Sequence, residues 1–240
     1  MPSSSRKPLI IGAGVAVAAL LLGLASYTAT RPDDPASPGT SGPVADVSAA
    51  PGGGAVPGLE QYARRDAKDP LAVGRADAPV VMIEYADFQC GFCGKFARDT
   101  EPALIRKYVD QGVLRIEWRN FPIFGEPSEN AARAAWAAGR QGKFWQFHQA
   151  AFAEGAKEKG FSEDRLKTLA REAGVPDLDR FARDLDSEAA KASVAEDQAE
   201  AYGLGAASTP SFLINGRPLA GAQPLAEFTR AIEAAHKAAK

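Results

Sequence analysis

The chain has 240 residues, 28 Lys and Arg against 30 Asp and Glu, and a formal net charge of −2. That balance, with no basic stretch longer than a few residues, excludes a nucleic-acid footprint. The length accommodates one ordinary domain with additional segments.

The additional segments are N-terminal. Residues 1–8 include Arg6 and Lys7, and Leu9 to Ala29 is an uncharged, mostly aliphatic run of 21 residues. At roughly 1.5 Å per helical residue it spans about 31 Å, the thickness of a hydrocarbon core. The cations before it and Asp33 and Asp34 beyond it predict a single-pass membrane helix with a cytoplasmic N-terminus and an extracytoplasmic remainder. A cleavable signal peptide is the rival reading, because Gly23-Leu24-Ala25 offers small residues at cleavage positions. The apolar region of such a peptide is usually about 7–15 residues, shorter than this run. Residues 30–58 are rich in Pro, Gly, Ser and Ala and lack aromatic residues, which predicts a disordered tether.

Folded structure is expected to begin between Leu59 and Leu71. Ala78-Pro79 introduces Val80 to Ala86, a strand whose near-continuous apolar character predicts burial on both faces of a parallel sheet. A helix is expected from about Cys90 to Gln111, closed by Gly112. In the strand Val113 to Arg119, Leu114, Ile116 and Trp118 alternate with Arg115, Glu117 and Arg119. The alternation predicts a half-exposed edge strand. Residues from Glu129 to about Tyr202 read as helix, with Ser162 as an N-cap and Gly174 and Pro176 as a stop. Ser211 to Ile214 returns to strand, Asn215-Gly216 marks a hairpin, and a last amphipathic helix covers Leu225 to about Lys237. The pattern is an α/β fold carrying a helical insertion.

Chemistry concentrates at one point. The only two cysteines stand as Cys90-Gly91-Phe92-Cys93, directly after the first strand and at the start of a helix. Unpaired N–H groups and the helix dipole at that terminus favour a thiolate. Residues three apart on a helix are close enough for a disulfide, and so short a loop makes a poor structural staple. Redox exchange is therefore the reading preferred over two inert thiols. A four-thiolate zinc site would need two more cysteines, and His148 and His236 lack ligand spacing to the pair, so neither a metal nor another cofactor is called for. Glu84 lies in an otherwise apolar strand, where burial raises a carboxyl pKa. It is either a proton carrier or a Glu facing a polar gap. His148, among Phe144, Trp145, Phe147 and Phe152, reads as a packing residue.

Together these features resemble the DsbA family of thioredoxin-fold proteins. The resemblance covers about residues 70–240, with the helical insertion at about 128–203. It rests on Ala78-Pro79, Glu84, Cys90-Gly91-Phe92-Cys93, Gly142-Lys143-Phe144-Trp145-Gln146-Phe147-His148 and Thr209-Pro210 before Ser211 to Gly216. It implies an exposed nucleophile at Cys90, a buried resolving Cys93, and a buried acid at Glu84 beneath the disulfide. It also implies a cis-proline at Pro210, with Thr209 offering backbone to substrate. The implied activity is thiol–disulfide exchange on exported, cysteine-containing proteins, with a quinone-linked membrane reoxidase of the DsbB or VKOR type as partner. A reductase or isomerase, or a non-catalytic binding module, stays open. Strong oxidants of the family carry a His between the cysteines, whereas this chain has Gly91-Phe92, which leaves the direction of electron flow open as well.

Overall fold

A computed structural model describes residues 55–240. The expected membrane segment at 9–29, the residues before it and most of the 30–58 tether lie outside the described residues. Of the tether, the last few residues belong to the fold. The Val56 N–H donates to the Gly216 carbonyl at 3.0 Å, and the Val56 side chain packs on a core cluster.

Five strands form one sheet: β1 (Ala72–Val73), β2 (Val80–Ala86), β3 (Leu114–Asn120), β4 (Ser211–Ile214) and β5 (Arg217–Ala220), in the order β1-β3-β2-β4-β5. Strands β2 and β3 run parallel, and the other three pairings are antiparallel. Every residue of β2 is buried, as an apolar strand covered on both faces must be. Its side chains alternate between faces. Val80, Met82 and Glu84 share a face with Leu114, Ile116, Trp118, Phe212 and Ile214 through the β2–β3 and β2–β4 registers. Helices α1 (Gly91–Asp99) and α8 (Leu225–Ala238) pack on that face, where Phe96 and Phe228 meet Phe212 at centroid distances of 4.7 and 4.9 Å. Asn215 and Gly216, at φ 44° and 75°, make the hairpin into β5.

The helix after the cysteines is shorter than the 90–111 expectation. It ends at Asp99, and the chain continues as α2 (Glu101–Leu104), with Pro at its start, and a π-helical turn at Ile105–Val109. The ring of Pro102 cannot continue a helix from its preceding turn. Glu101, immediately after the break at Thr100, is buried. Gly112, at φ 70°, closes the segment.

Strand β3 also departs from expectation. It lies between β1 and β2, and all seven of its residues are buried, Arg115, Glu117 and Arg119 included. Their charged face meets another charged surface instead of water. Arg115 Nε donates to Glu117 at 2.8 Å and Arg119 Nη2 donates to Glu117 at 3.1 Å. The backbone N–H groups of Arg64 and Arg65 donate to the same carboxylate at 3.0 and 2.8 Å. The insertion supplies the rest: Arg119 Nε donates to Glu200 at 3.1 Å, and Arg64 pairs with Asp197 at 2.8 Å.

The insertion comprises α3 (Glu126–Gly139), α4 (Phe144–Ala151), α5 (Glu163–Glu172), α6 (Leu178–Leu185) and α7 (Glu188–Gly203). Ser162 caps α5 by accepting from the Arg165 N–H. An alanine face of α3 and the aromatics of α4 form one cluster with Phe88, Trp118 and both cysteines. The insertion therefore packs directly against the Cys90 loop.

Candidate active site

Strand β2 ends at Ala86, and Asp87 organises the turn that follows. Asp87 accepts from the Gln89 N–H at 2.7 Å, an Asx-type turn, and its other oxygen accepts from the Ile123 N–H at 2.7 Å. The Asp87 carbonyl accepts from the Cys90 N–H at 3.0 Å. Asp87 thus ties the cysteine loop to the loop after β3. Sequence reasoning passed over it, although an Asp immediately after a strand is a turn signal. Phe88 anchors the same loop, 4.9 Å from Phe152 and 5.1 Å from Trp118 by ring centroids.

Cys90 is the N-cap of α1 with extended backbone, and Cys93 lies one turn inside. Cys93 is sealed at 0% exposure, and Cys90 retains 6%, less than the exposed nucleophile the sequence suggested. The cover comes from the other end of the chain. Thr209-Pro210, a cis peptide, lies against the cysteines, and Cys90 Sγ donates to the Thr209 carbonyl at 3.2 Å. That hydrogen bond exists only while Cys90 is a thiol.

The two sulfurs differ in acidity. The Cys93 thiol, acting as donor, is the largest influence lowering the Cys90 pKa. Burial opposes it, while the Cys93 and Phe92 N–H groups add to it. The net result is a pKa of about 6 against an ordinary 9.0. Burial, then the neighbouring Cys90, pushes the Cys93 thiol well up. At neutral pH one sulfur is a thiolate and its partner a thiol.

Beneath them lies a carboxyl pair. Glu84 is at 0% exposure, neither of its oxygens has a hydrogen-bond partner among the described residues, and burial followed by the nearby Glu101 holds it well above its usual range. Burial takes Glu101 up to about 8. Its Oε2 lies 3.7 Å from Nδ1 of His148, which burial drives down to about 3 and hence keeps neutral. His148 is a packed side chain, edge-on to Trp118 at 5.0 Å. Glu101 was not singled out from the sequence, although it stands seven residues after Gly94 and so on the same face of the helical pattern. Cys90, Cys93, Thr209 and Pro210 converge in space, and Glu84 joins them from below, since it contributes to the raised pKa of Cys93.

Cys90 opens into a groove of about 970 Å³. Its lining includes Phe92 and Phe124, exposed by 67% and 55%. The arrangement can hold a nucleophilic sulfur, a buried partner sulfur and an extended polypeptide beside them.

Comparisons with known proteins match the fold. The thioredoxin family model matches residues 66–234. The probable disulfide bond formation protein D of Bacillus cereus is 32% identical over 151 residues, covering 60% of this chain and 69% of that protein. Among solved structures, Wolbachia pipientis alpha-DsbA1 is 26% identical with a TM-score of 0.59, covering 70% of this chain and 92% of that one. BdbD from Bacillus subtilis aligns with a TM-score of 0.66 over 72% of this chain and 95% of that one, at 23% identity, a likeness of fold. Longer relatives also match: the chain is 33% identical over 169 residues to the Na(+)/H(+) antiporter NhaA 3 of Salinispora tropica, spanning 25% of that protein.

Proposed function

The chain belongs to the thioredoxin family, as a DsbA-like protein disulfide oxidoreductase, and from that premise we propose that it introduces disulfide bonds into exported proteins from an extracytoplasmic, membrane-anchored position. The observation that carries the oxidase direction is the Cys90 pKa of about 6, below the roughly 7 of thioredoxin, with Cys93 held well up beside it. A stabilised thiolate favours the reduced enzyme, and a good leaving group is what an oxidant needs.

In the oxidised enzyme Cys90 and Cys93 share a disulfide. A substrate thiolate attacks Cys90 Sγ, forming a mixed disulfide and breaking the Cys90–Cys93 bond. Cys93 leaves with the electron pair and takes a proton, because its pKa is too high for a lasting thiolate. Glu84, kept protonated by burial, is the proton donor nearest in character and place. A second substrate thiolate then attacks the substrate sulfur of the mixed disulfide and expels Cys90 as a thiolate. Two electrons have passed from two substrate thiols to the enzyme pair. A quinone-linked membrane reoxidase would take them onward. Thr209 offers backbone groups to the substrate segment, and Pro210, with no N–H, keeps its own backbone close to the sulfurs without adding a donor.

The export reading draws support from the 21-residue apolar run Leu9 to Ala29 and its flanking charges. Disulfide formation fits that side of a membrane. The test is oxidative refolding of a reduced, disulfide-requiring protein by catalytic amounts of the enzyme. Wild type is expected to accelerate recovery of activity, and Cys90→Ser to abolish the acceleration. Reduction of insulin disulfides without any refolding activity would instead mark a reductase.

A further inference from the structure

The groove at Cys90 is lined by both apolar and basic residues. Phe92 and Phe124 supply the apolar wall, and Lys95, Arg98 and Lys157 bring positive charge. Their partners differ. Lys95 is neutralised by Asp99 at 2.7 Å, and Arg98 donates Nη1 to the Phe152 carbonyl at 2.8 Å, which leaves its charge in place. Lys157 is exposed and, among the described residues, has no carboxylate within 4.0 Å. Its Nζ stands only 3.5 Å from where a side chain on Gly91 would begin, next to the reacting cysteine. Glu154 and Glu158 line a second cleft of about 280 Å³ that also includes Cys90, Arg98 and Lys157. Neither lines the larger groove, where Asp99 is the one acid among the described residues.

We propose that this groove selects substrate segments carrying an acidic residue within two positions of the reacting cysteine, with Lys157 as the main group that reads it and Arg98 in support. The proposal rests on Cys90 being the exchanging sulfur. A segment whose cysteine meets Cys90 advances about 3.3 Å per residue, so a side chain one or two positions along falls within reach of an ammonium beside Gly91. The Gly at 91 has a consequence here. A side chain at this position would only touch Lys157 Nζ at 3.5 Å, and with Gly there the ammonium borders the groove beside Cys90 directly. Complementary charge in such a site steers encounter and rejects the wrong sign.

The experiment uses the full-length oxidised protein and three reduced peptides, identical except for Asp, Asn or Lys beside the cysteine. Each second-order rate of enzyme reduction is divided by that peptide's rate with neutral hydroxyethyl disulfide, which removes the effect of the flanking charge on the peptide's own thiol. The normalised Asp-to-Lys ratio is expected to be about tenfold or more at low salt and to shrink toward unity at high salt. Lys157→Glu is expected to lower that ratio at least tenfold, and Lys157→Arg to retain it. A wild-type ratio within twofold at low salt overturns the proposal, as does an unchanged ratio in Lys157→Glu. Should Lys157→Glu not fold, the wild-type ratio and its salt dependence decide. Reduction of the wild type by dithiothreitol is run alongside. Failure there would remove the exchange reading itself, whereas normal reduction without discrimination among peptides removes only the groove proposal.

Discussion

Titration of Cys90 in single variants separates the sources of its acidity. The leading source is the Cys93 thiol as donor, ahead of the helix-terminal N–H groups. Cys93→Ala removes that donor and is expected to raise the Cys90 pKa by at least about one unit, toward the free-thiol value of about 8.5. Cys93→Ser keeps an O–H donor and is expected to stay nearer 6, as followed by ultraviolet thiolate absorbance. Equal values in both variants would return the effect to the helix terminus alone. A second residue-scale prediction concerns Glu101, raised by burial to about 8. Its folded pKa lies above its unfolded one, so its contribution to stability is full at low pH and is lost as pH rises toward 8. His148, depressed to about 3, works in the opposite sense, but only below about pH 6.5. In the oxidised enzyme, where Cys90 does not titrate, Glu101→Gln is therefore expected to gain on wild type between pH 6.5 and 8. The gain should reach up to about 1.4 kcal/mol per pH unit in chemical denaturation. A constant difference across that window would contradict the buried, protonated carboxyl. Glu84 was legible because a charge interrupts an apolar strand. Glu101 was not, because a carboxylate in a helix is ordinarily a solvent-facing residue.

At the scale of elements, β3 shows where reading by pattern stops. The alternation of Leu114, Ile116 and Trp118 with three charged residues correctly marks two unlike faces. It does not say what covers the charged one. The cover comes from Arg64 and Arg65, about fifty residues earlier, and from Asp197 and Glu200, about eighty later. Removing one member of a buried, hydrogen-bonded ion network leaves the others uncompensated. Arg119→Ala is therefore expected to cost about 3–5 kcal/mol in urea denaturation. A half-exposed edge strand would lose no more than about 0.5 kcal/mol. The Cys helix shows a related limit: its start was legible from the strand-to-helix junction, whereas its break required weighing Pro102 against an otherwise continuous helical pattern. The hairpin at Asn215-Gly216 and the N-cap at Ser162 were legible because local chemistry alone sets them.

For the whole molecule, element order carried the fold: strand, cysteine helix, strand, helical insertion, hairpin, helix. What the order could not convey is how the insertion is set down over the Cys90 loop, bringing Phe152 against Phe88 and Lys157 beside Gly91. The export reading is tested at this scale too. A reporter active only outside the cytoplasm, fused after Lys240, is expected to function, and the protein is expected to stay with membranes through a high-salt wash. A soluble chain beginning near Ser26 would establish cleavage. The central claim is that the Cys90–Cys93 pair is poised to oxidise other thiols, and its standard reduction potential, from equilibrium with glutathione, tests this most directly. The Cys90 pKa of about 6 lies between the roughly 7 of thioredoxin and the roughly 3.5 of DsbA, so it predicts a value between their potentials of about −270 and −120 mV, and a value at or below about −270 mV would contradict it.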